Sequence, residues 1–388
     1  MKKKRIVFLD HTAKISGGER SLLLILKKLD RTRFNSCLVT LEDGPLLEEA
    51  KKLGVKAVSL IFPRVVLKRR RRDIGLVSLC LSLFVSLSGI FRLVKLLKTQ
   101  SFDIVYTNSQ KSHLIGLIAG IIAGVPVVWH FRDVLPDGIA KRVVILLGNM
   151  FAKRIIVISC IVAKQFIVAG RIRSKVRVVY NAIDLHDFIE QAKNSKTSLK
   201  KEFHLPDNSQ IVATVGQIAR WKGQEYIVYV AEALIKRFDN LYFFIIGEPL
   251  FAEDAYYRKI KDLVIAKGLE KRVLFTGFRW DIPGIMKDID ILLHTPVEPE
   301  PFGRVIIEAM AVGTPVVAFD MGALKEILRD SAGILISPFD TKGLEETITS
   351  LLLDKQSYRM ISKNAEIAVR NRFDSFRLIT ELEELLTN

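Results

Sequence analysis

The chain alternates between short apolar runs and longer stretches in which apolar residues recur every three or four positions. Runs of the first kind predict buried strands, and stretches of the second kind predict helices. The strands expected on this pattern lie at 6–9, 37–41, 55–61, 103–107, 126–129, 155–158, 176–179, 211–215, 241–246, 273–275, 290–293 and 316–319. Strands that alternate with helices in this way indicate an α/β chain with two doubly wound parallel sheets.

The length of 388 residues suggests two domains of ordinary size. A polar, lysine-containing stretch at 186–209 interrupts the pattern and is predicted to be a linker with one helix. We therefore expect a first domain over 1–185, a second over 186–370 and a C-terminal segment over 371–388, which holds a last helix at about 376–386.

The basic excess is confined to the first half of the chain. Residues 1–185 contain 33 Lys and Arg against 12 Asp and Glu, a net +21, whereas the remainder has 26 against 30. A basic half predicts an anionic partner, which could be a nucleic acid, a membrane or a substrate. The three cysteines, Cys37, Cys80 and Cys160, have neither disulfide nor metal-ligand spacing, which favours a cytoplasmic location.

An arginine run at 69–72 precedes an uncharged, mainly apolar stretch at 74–91, which Arg92, Lys95 and Lys98 follow. Its eighteen residues approach the length of a membrane span. Ser and Gly within it, and the helical pattern that continues beyond it, favour a helix that lies on a membrane or packs within the domain. At the N-terminus, the apolar run 6–9 is too short for a signal peptide.

The stretch 298–326 contains the clearest candidate chemistry. Glu300 stands in a proline-bracketed loop, and Glu308 lies about two turns into the helix that follows Gly303. The free N–H groups of a helix start suit a phosphate, and carboxylates hold the hydroxyls of a ribose or another sugar. A capped surface helix with two solvated glutamates is the alternative interpretation.

This stretch resembles the signature of the retaining GT-B glycosyltransferases of family 4, also called group 1. The resemblance rests on E-x7-E followed by A-M-A-x-G-x-P-V-V-A. The matching positions are Glu300, Phe302, Gly303, Glu308, Ala309, Met310, Ala311, Gly313, Pro315, Val316, Val317 and Ala318. Gly322-Ala323 departs from the usual Gly-Gly of that family.

The resemblance implies a GT-B architecture, in which two Rossmann-like doubly wound domains face a central cleft and a C-terminal helix crosses back to the N-terminal domain. It implies a metal-independent, retaining transferase of the hexosyl type that needs no cofactor. The donor would be a UDP- or GDP-sugar, and the expected acceptor is a lipid-linked saccharide of cell-surface polysaccharide biosynthesis. The enzyme would be peripheral on an anionic surface, the inner face of the cytoplasmic membrane.

The resemblance also assigns donor contacts. Lys222 takes the position of the lysine that clamps the donor diphosphate, whereas Gln217 replaces the arginine of the family and Arg220 is a possible substitute. Backbone near Gly277 and Phe278 would face the base, Glu308 the ribose, and the helix start the diphosphate. The full set of expected donor residues is Gly17, Gly18, Gly216, Gln217, Arg220, Lys222, Gly277, Phe278, Phe302, Gly303, Arg304 and Glu308.

His130, Glu300 and Lys222 are the predicted catalytic residues, because by resemblance the first two contact the transferred sugar and the third stabilises the leaving diphosphate. Asn108, Arg132 and Asp133 are the predicted acceptor contacts, since they follow strands at their carboxyl ends. Without the resemblance, a lone histidine such as His130 is as often structural.

Two other functions fit the sequence. A GT-B sugar-nucleotide epimerase would share the donor site but would need no acceptor. A nucleic-acid-binding protein would use the basic half, although that half lacks interleaved aromatic residues. Asp288 and Asp290 form a D-x-D pair between a helix and a strand and are interpreted as structural, and no metal site is expected.

Overall fold

The computed structural model describes residues 3–61, 87–168, 171–172, 174–250 and 253–387. The arginine run 69–72 and the part of the apolar stretch up to residue 86 lie outside these ranges. The chain forms two compact units, the first Met1–Asn181 with Ser375–Asn388 and the second Ala182–Asp374. The domain boundaries expected after residues 185 and 370 stay predictions.

Unit 1 is built on a seven-stranded parallel sheet, and apolar residues fill its central strands, which are buried on both faces. Its strands are β1 Lys4–Asp10, β2 Phe34–Thr40, β3 Lys56–Ser59, β4 Ile104–Thr107, β5 Val127–Phe131, β6 Arg154–Val157 and β9 Val176–Val178; a two-stranded antiparallel ribbon comprises β7 Ile167–Val168 and β8 Arg171–Ile172. The strand order in the sheet is β3-β2-β1-β4-β5-β6-β9.

The helices of unit 1 connect these strands and cover the sheet. They are α1 Gly17–Lys28, α2 Pro45–Lys52, α3 Leu87–Thr99, α4 Gln110–Ala123, α5 Ile139–Phe151, α6 Cys160–Ala163 and the last helix of the chain, α16 Ser375–Thr387. Within the apolar stretch ending at residue 91, only the residues from Leu87 onward are described, and they begin α3. This helix buries Ile90, Leu93, Val94 and Leu97. It packs against α4.

Unit 2 is built on a six-stranded parallel sheet. The strands are β10 Gln210–Val215, β11 Leu241–Ile246, β12 Val273–Gly277, β13 Ile291–His294, β14 Val316–Phe319 and β15 Ile334–Ile336. Their order is β12-β11-β10-β13-β14-β15. Its helices are α7 Leu185–Asn194, α8 Leu199–Glu202, α9 Glu225–Leu234, α10 Asp254–Ala266, α11 Ile282–Asp288, α12 Arg304–Ala311, α13 Leu324–Ile327, α14 Thr341–Leu353 and α15 Lys355–Arg372.

The predicted α/β class with two Rossmann-like parallel sheets is confirmed. The interpretation of 186–209 as a linker with one helix is wrong, since α7 and α8 both lie there and α7 packs against α11. Among the described residues, no helix combines the length and the apolar content needed to cross a bilayer.

Candidate active site

The carboxyl ends of β10 and β13, which are neighbours in the sheet of unit 2, bring Lys222 and Glu300 together. Lys222 Nζ lies 2.6 Å from Glu300 Oε2, and the two side chains are 16% and 6% exposed. Burial by itself raises the pKa of Glu300, but the ammonium group of Lys222 and a hydrogen bond from His294 hold that pKa well below its usual range. Glu300 is therefore a buried, ionised carboxylate at neutral pH.

His294 is the second partner of Glu300 and was not predicted. Its Nε2 atom lies 3.1 Å from Glu300 Oε2 at the end of β13, and its side chain is 3% exposed. Burial lowers the pKa of His294, so the ring is neutral at pH 7. Because a carboxylate only accepts hydrogen bonds, Nε2 carries the proton and donates a hydrogen bond to Glu300.

Backbone contacts hold the two loops that carry this pair. Val297 N donates to Trp221 O at 2.9 Å, and Thr295 Oγ1 donates to Gly223 O at 2.9 Å. Ala323 N donates to Glu300 O at 2.9 Å. Gly322 comes so close that a Cβ atom there would lie 2.3 Å from Glu300 O, which explains why the residue before Ala323 is a glycine.

Helix α12 begins immediately after Gly303, as predicted. Glu308 is 8% exposed and accepts from Arg304 Nη2 at 2.9 Å, four positions earlier on the same helix. Phe302 is buried and packs edge-on against Phe373, with ring centroids 5.7 Å apart. Arg304 and Glu308 thus lie in the first two turns of α12, the helix that follows the loop of Glu300.

The other expected donor residues lie at the same carboxyl edge of the sheet. Gly216 follows β10 and Gly277 ends β12. Gln217 Nε2 donates to Leu250 O at 3.2 Å, so its amide binds backbone. Arg220 is exposed, with its Nε atom 3.8 Å from Glu253 Oε2. Phe278 is 42% exposed and packs edge-on against Trp280.

Unit 1 carries a second polar cluster, at the carboxyl ends of its neighbouring strands β1, β4 and β5. Arg132 Nε donates to Asn108 Oδ1 at 2.7 Å, and Arg132 Nη1 donates to Asn181 Oδ1 at 2.6 Å. Asn108 Nδ2 in turn donates to Asp10 Oδ2 at 2.7 Å. All four side chains are buried, so this cluster places a guanidinium group rigidly at the sheet edge.

His130 lies within this cluster on β5 and is fully buried. Its Nδ1 atom contacts Tyr106 Oη and lies 3.1 Å from Arg132 Nη2. Arginine can only donate, so Nδ1 accepts and the proton sits on Nε2. Burial, and after it Arg132, lower the pKa of His130 well below its usual value. Nε2 has no hydrogen-bond partner within the described part of the chain.

The remaining predicted residues of unit 1 adjoin the cluster. Gly17 and Gly18 begin α1, and a Cβ atom at Gly18 would lie 3.6 Å from Arg132 Cδ. Asp133 accepts from Gln110 Nε2 at 3.1 Å through its side chain and from Gln165 Nε2 at 2.8 Å through its backbone carbonyl. The structure therefore brings Gly18, Asn108, His130 and Arg132 into one group and places Asp133 beside it.

Sequence reasoning missed Asp10, Asn181 and His294. Asp10 ends β1 and His294 ends β13, so their positions at strand ends were a signal that could have identified them. Asn181 follows β9 in a turn and carries no such signal. Across the described residues, no group of three or more His, Cys, Asp or Glu side chains is placed to hold a metal ion. Asp288 and Asp290 accept from the backbone N–H groups of Leu199 and Ile211.

The two parallel Rossmann-like sheets, together with solved structures that superpose over the whole chain, show that the fold is GT-B. The model of the family "Glycosyltransferase Family 4" matches residues 15–187, and that of "Glycosyl transferases group 1" matches residues 195–367. The chain belongs to the glycosyltransferases of family 4, a retaining family, and is a nucleotide-sugar glycosyltransferase.

Individual proteins resemble the chain over half of its length or more. A UDP-Gal:alpha-D-GlcNAc-diphosphoundecaprenol alpha-1,3-galactosyltransferase from Escherichia coli is 26% identical over 96% of this chain and 93% of its own. The O-antigen biosynthesis glycosyltransferase WclY from the same species is 24% identical over 55% of this chain and 56% of its own. The crystal structure of Anabaena HepE with UDP-glucose superposes with a TM-score of 0.82 at 28% identity, covering 99% of both chains.

Proposed function

We propose that the protein transfers a hexose from a UDP-sugar, with a GDP-sugar as the less favoured donor, to a lipid-linked saccharide of cell-surface polysaccharide biosynthesis. The buried Lys222–Glu300 pair carries this proposal, because it sets a cation and a sugar-binding carboxylate side by side at a sheet edge. The galactosyltransferase and HepE support UDP as the nucleotide. Family membership favours a transferase over the epimerase and nucleic-acid-binding alternatives.

Lys222 would stabilise the leaving diphosphate. Its ammonium group lies over the ring of Trp221, 4.1 Å from the centroid, and is paired with the carboxylate of Glu300. A donor diphosphate at the start of α12 would compete with Glu300 for this ammonium group. Glu300 would then be released to accept from sugar hydroxyls, while His294 keeps its hydrogen bond to the carboxylate. A fixed positive charge beside a leaving group lowers the barrier strongly, because it is already oriented toward the charge that develops there.

Glu308 would bind the ribose. It already accepts from Arg304, so its carboxylate is oriented before a ligand arrives. Two oxygens of one carboxylate can accept from the 2′- and 3′-hydroxyls of a ribose together, as acidic residues do beside dinucleotides. Arg304 would meanwhile remain close to the nucleotide phosphates at the helix start.

His130 and Arg132 would serve the sugar and the acceptor. The Nε2–H of His130, which has no partner among the described residues, is a buried donor, and a buried donor costs free energy until an acceptor reaches it. A substrate hydroxyl would supply that acceptor. Since its ring is neutral, His130 would act as a hydrogen-bond donor rather than as a base. Arg132, Asn108 and Asp133 would contact the acceptor.

The acceptor named for the galactosyltransferase is a sugar on diphosphoundecaprenol, a lipid. We propose an acceptor of this lipid-linked class here, and a peripheral position on the inner face of the cytoplasmic membrane. The basic excess of residues 1–185 fits both an anionic bilayer and an acceptor diphosphate.

Replacing Lys222 by Ala tests the donor site. Turnover with a UDP-sugar should slow because the activation barrier rises by about 2–4 kcal/mol, the scale for losing one charge-stabilising group. Steady-state kinetics with UDP-glucose and UDP-galactose would measure it, either as transfer or as slow hydrolysis of the donor. Wild-type turnover in the Ala variant would contradict the proposed role.

Two further variants serve as comparisons. Arg220→Ala asks whether Arg220 replaces the arginine that Gln217 lacks; because Arg220 is exposed, we expect a smaller loss than for Lys222→Ala. Lys325→Ala removes another lysine of unit 2, one that is 78% exposed and lies near Asp320 instead of Glu300, and should leave turnover unchanged.

A further inference from the structure

Three helices of unit 1 form one layer on the sheet. His113 of α4 stacks on Trp129 of β5, with ring centroids 4.9 Å apart. A Cβ atom at Gly148 of α5 would lie 2.5 Å from the same Trp129 ring, so only a glycine lets α5 approach this closely. Helices α4 and α5 therefore cover the same face, and α3 packs against α4. We call α3, α4 and α5 together the basic helical face.

The basic helical face has a one-sided charge. Its three helices contain no Asp or Glu. They contain six basic residues, namely Arg92, Lys95, Lys98, Lys111, Lys141 and Arg142. The helices α1, α2 and α16 are instead mixed in charge: their six acidic residues, Glu19, Glu48, Glu49, Glu381, Glu383 and Glu384, are balanced by six basic residues, Arg20, Lys27, Lys28, Lys51, Lys52 and Arg377. Positive charge is thus concentrated on one face of unit 1.

The same face exposes large apolar side chains. Phe91, Ile139 and Met150 are 67%, 66% and 59% exposed. Eight such residues lie on these three helices: Leu87, Phe91, Ile121, Ile122, Ile139, Leu146, Met150 and Phe151. So many exposed large apolar side chains on one layer of helices are unusual on a surface that only water covers.

The arrangement on α5 is that of an interfacial helix. Ile139, Arg142, Leu146 and Met150 are spaced by three, four and four positions, so they line one side, opposite the side that meets Trp129. Lys141 is paired with Asp137 in the preceding loop at 2.9 Å. The helix begins a few residues after Arg132, at the sheet edge that holds the polar cluster of unit 1.

We propose that the basic helical face docks on an anionic lipid bilayer. Large apolar side chains can enter the boundary between headgroups and acyl chains, while lysines and arginines meet anionic headgroups. The absence of acidic residues within the three helices removes the repulsion that such a surface would otherwise exert. The proposal extends the proposed function, since docking here would bring the Arg132 edge near a lipid-linked acceptor.

A flotation assay tests whether the basic helical face docks on an anionic bilayer. The full chain is mixed with phosphatidylcholine vesicles that either contain or lack phosphatidylglycerol. Binding should require phosphatidylglycerol and weaken as salt is raised. The double variant Leu146→Ser with Met150→Ser should bind at least about tenfold more weakly, since even one large apolar side chain contributes this much when it is buried. Arg142→Gln with Lys95→Gln should weaken binding and reduce its salt dependence.

The matched control is Ile265→Ser with Leu353→Ser, two apolar residues of unit 2 that are 60% and 67% exposed. This control should bind like the wild type. Equal binding to vesicles without phosphatidylglycerol, equal loss in the control, or a change of oligomeric state without loss of vesicle binding would each overturn the proposal. Donor hydrolysis in detergent-free solution reports on the proposed function separately, and it should survive all of these surface variants.

Discussion

At the scale of single residues, the environment of Glu300 decides what the donor site can do. A buried carboxylate would normally take up a proton, and Glu300 stays ionised because Lys222 and His294 outweigh the cost of burial. When a diphosphate draws Lys222 away, His294 is the partner that remains. We therefore expect His294 to act as a positioning residue for the carboxylate that meets the sugar.

Replacing His294 tests this role. His294→Gln retains an N–H donor at similar reach, whereas His294→Leu removes it. The Leu variant should lose about 1.5–3 kcal/mol of transition-state stabilisation, the range for a hydrogen bond to a charged group. The Gln variant should recover most of it. Affinity for UDP, which lacks the transferred hexose, should be unchanged in both, as measured by calorimetry. Equal losses in both variants, together with lower melting temperatures, would instead indicate a purely structural histidine.

The buried His113 leads to a prediction of how the stability of the fold depends on pH. Burial lowers its pKa to about 3, and its ring stacks on both Trp129 and Phe131. The unfolded chain binds this proton below about pH 6.5 and the folded chain does not, so stability falls by about 1.4 kcal/mol per pH unit as the pH decreases below that value. His113→Phe should remove this contribution, which is about 2 kcal/mol between pH 6.5 and 5.

Denaturant unfolding of wild type and His113→Phe at several pH values would measure the difference in slope. His186→Gln, at an exposed histidine, is the control and should follow the wild type. Parallel curves for wild type and His113→Phe would show that His113 gains its proton in the folded state as readily as in the unfolded state.

At the scale of elements, the sequence predicted features that lie within one stretch of the chain. It did not predict contacts that depend on which strands are neighbours in a sheet. The start of α12 after Gly303 was predicted closely, because Glu300, Gly303 and Glu308 lie within one stretch of sequence. The contact of Lys222 with Glu300 spans 78 positions and exists because β10 and β13 are adjacent in the sheet. The same holds for Asp10 and Asn108, which meet because β1 pairs with β4.

The pattern of apolar positions also failed to predict two elements whose own sequence signal is weak. Strand β15 has three half-buried residues, too few to establish a period. The polar sequence of helix α7 predicts a linker, yet Leu185 and Ala192 are buried on the inner side of this helix. In both cases packing against a neighbouring element fixes a segment whose own sequence signal is weak.

The loop that holds Glu300 depends on Gly322, which has a φ of +70°. Gly322→Ala would bring a Cβ atom into the backbone of Glu300 and would also strain the left-handed conformation. Gly268 of the same unit has a φ of +64° but nothing within 4 Å of its Cβ position, so Gly268→Ala isolates the strain, about 1–2 kcal/mol.

We expect Gly322→Ala to be more destabilising than Gly268→Ala and to raise KM for the UDP-sugar as well, because Glu300 must shift. Thermal unfolding and donor kinetics of the two variants would measure both effects. Equal destabilisation with unchanged KM would mean that the loop accommodates a methyl group without moving the carboxylate.

At the scale of the whole molecule, unit 1 is assembled from the two ends of the chain. The last helix, α16, packs against α1. Arg33 Nη1 lies 2.8 Å from Glu383 Oε2, and Arg154 Nη1 donates to Leu385 O at 2.6 Å. The periodicity of residues 376–386 predicted a helix, but amphipathic periodicity alone cannot say which sheet the helix covers.

Leu382 and Phe376 on α16 allow this assembly to be tested within one helix. Leu382 is fully buried and Phe376 is 81% exposed. Leu382→Ala should lower the free energy of unfolding by about 2–5 kcal/mol, as cavities of this kind do. Phe376→Ala should stay within about 0.5 kcal/mol of the wild type.

Hydrogen exchange followed by mass spectrometry would show where in the chain the Leu382 substitution acts. Exchange should rise in β1, β2 and β4 of unit 1 and stay unchanged in β10, β11 and β13 of unit 2. Because the proposed donor site lies in unit 2, UDP should still protect those strands in the Leu382 variant. Loss of UDP protection there would show that the stability of unit 2 depends on α16 despite its place in unit 1.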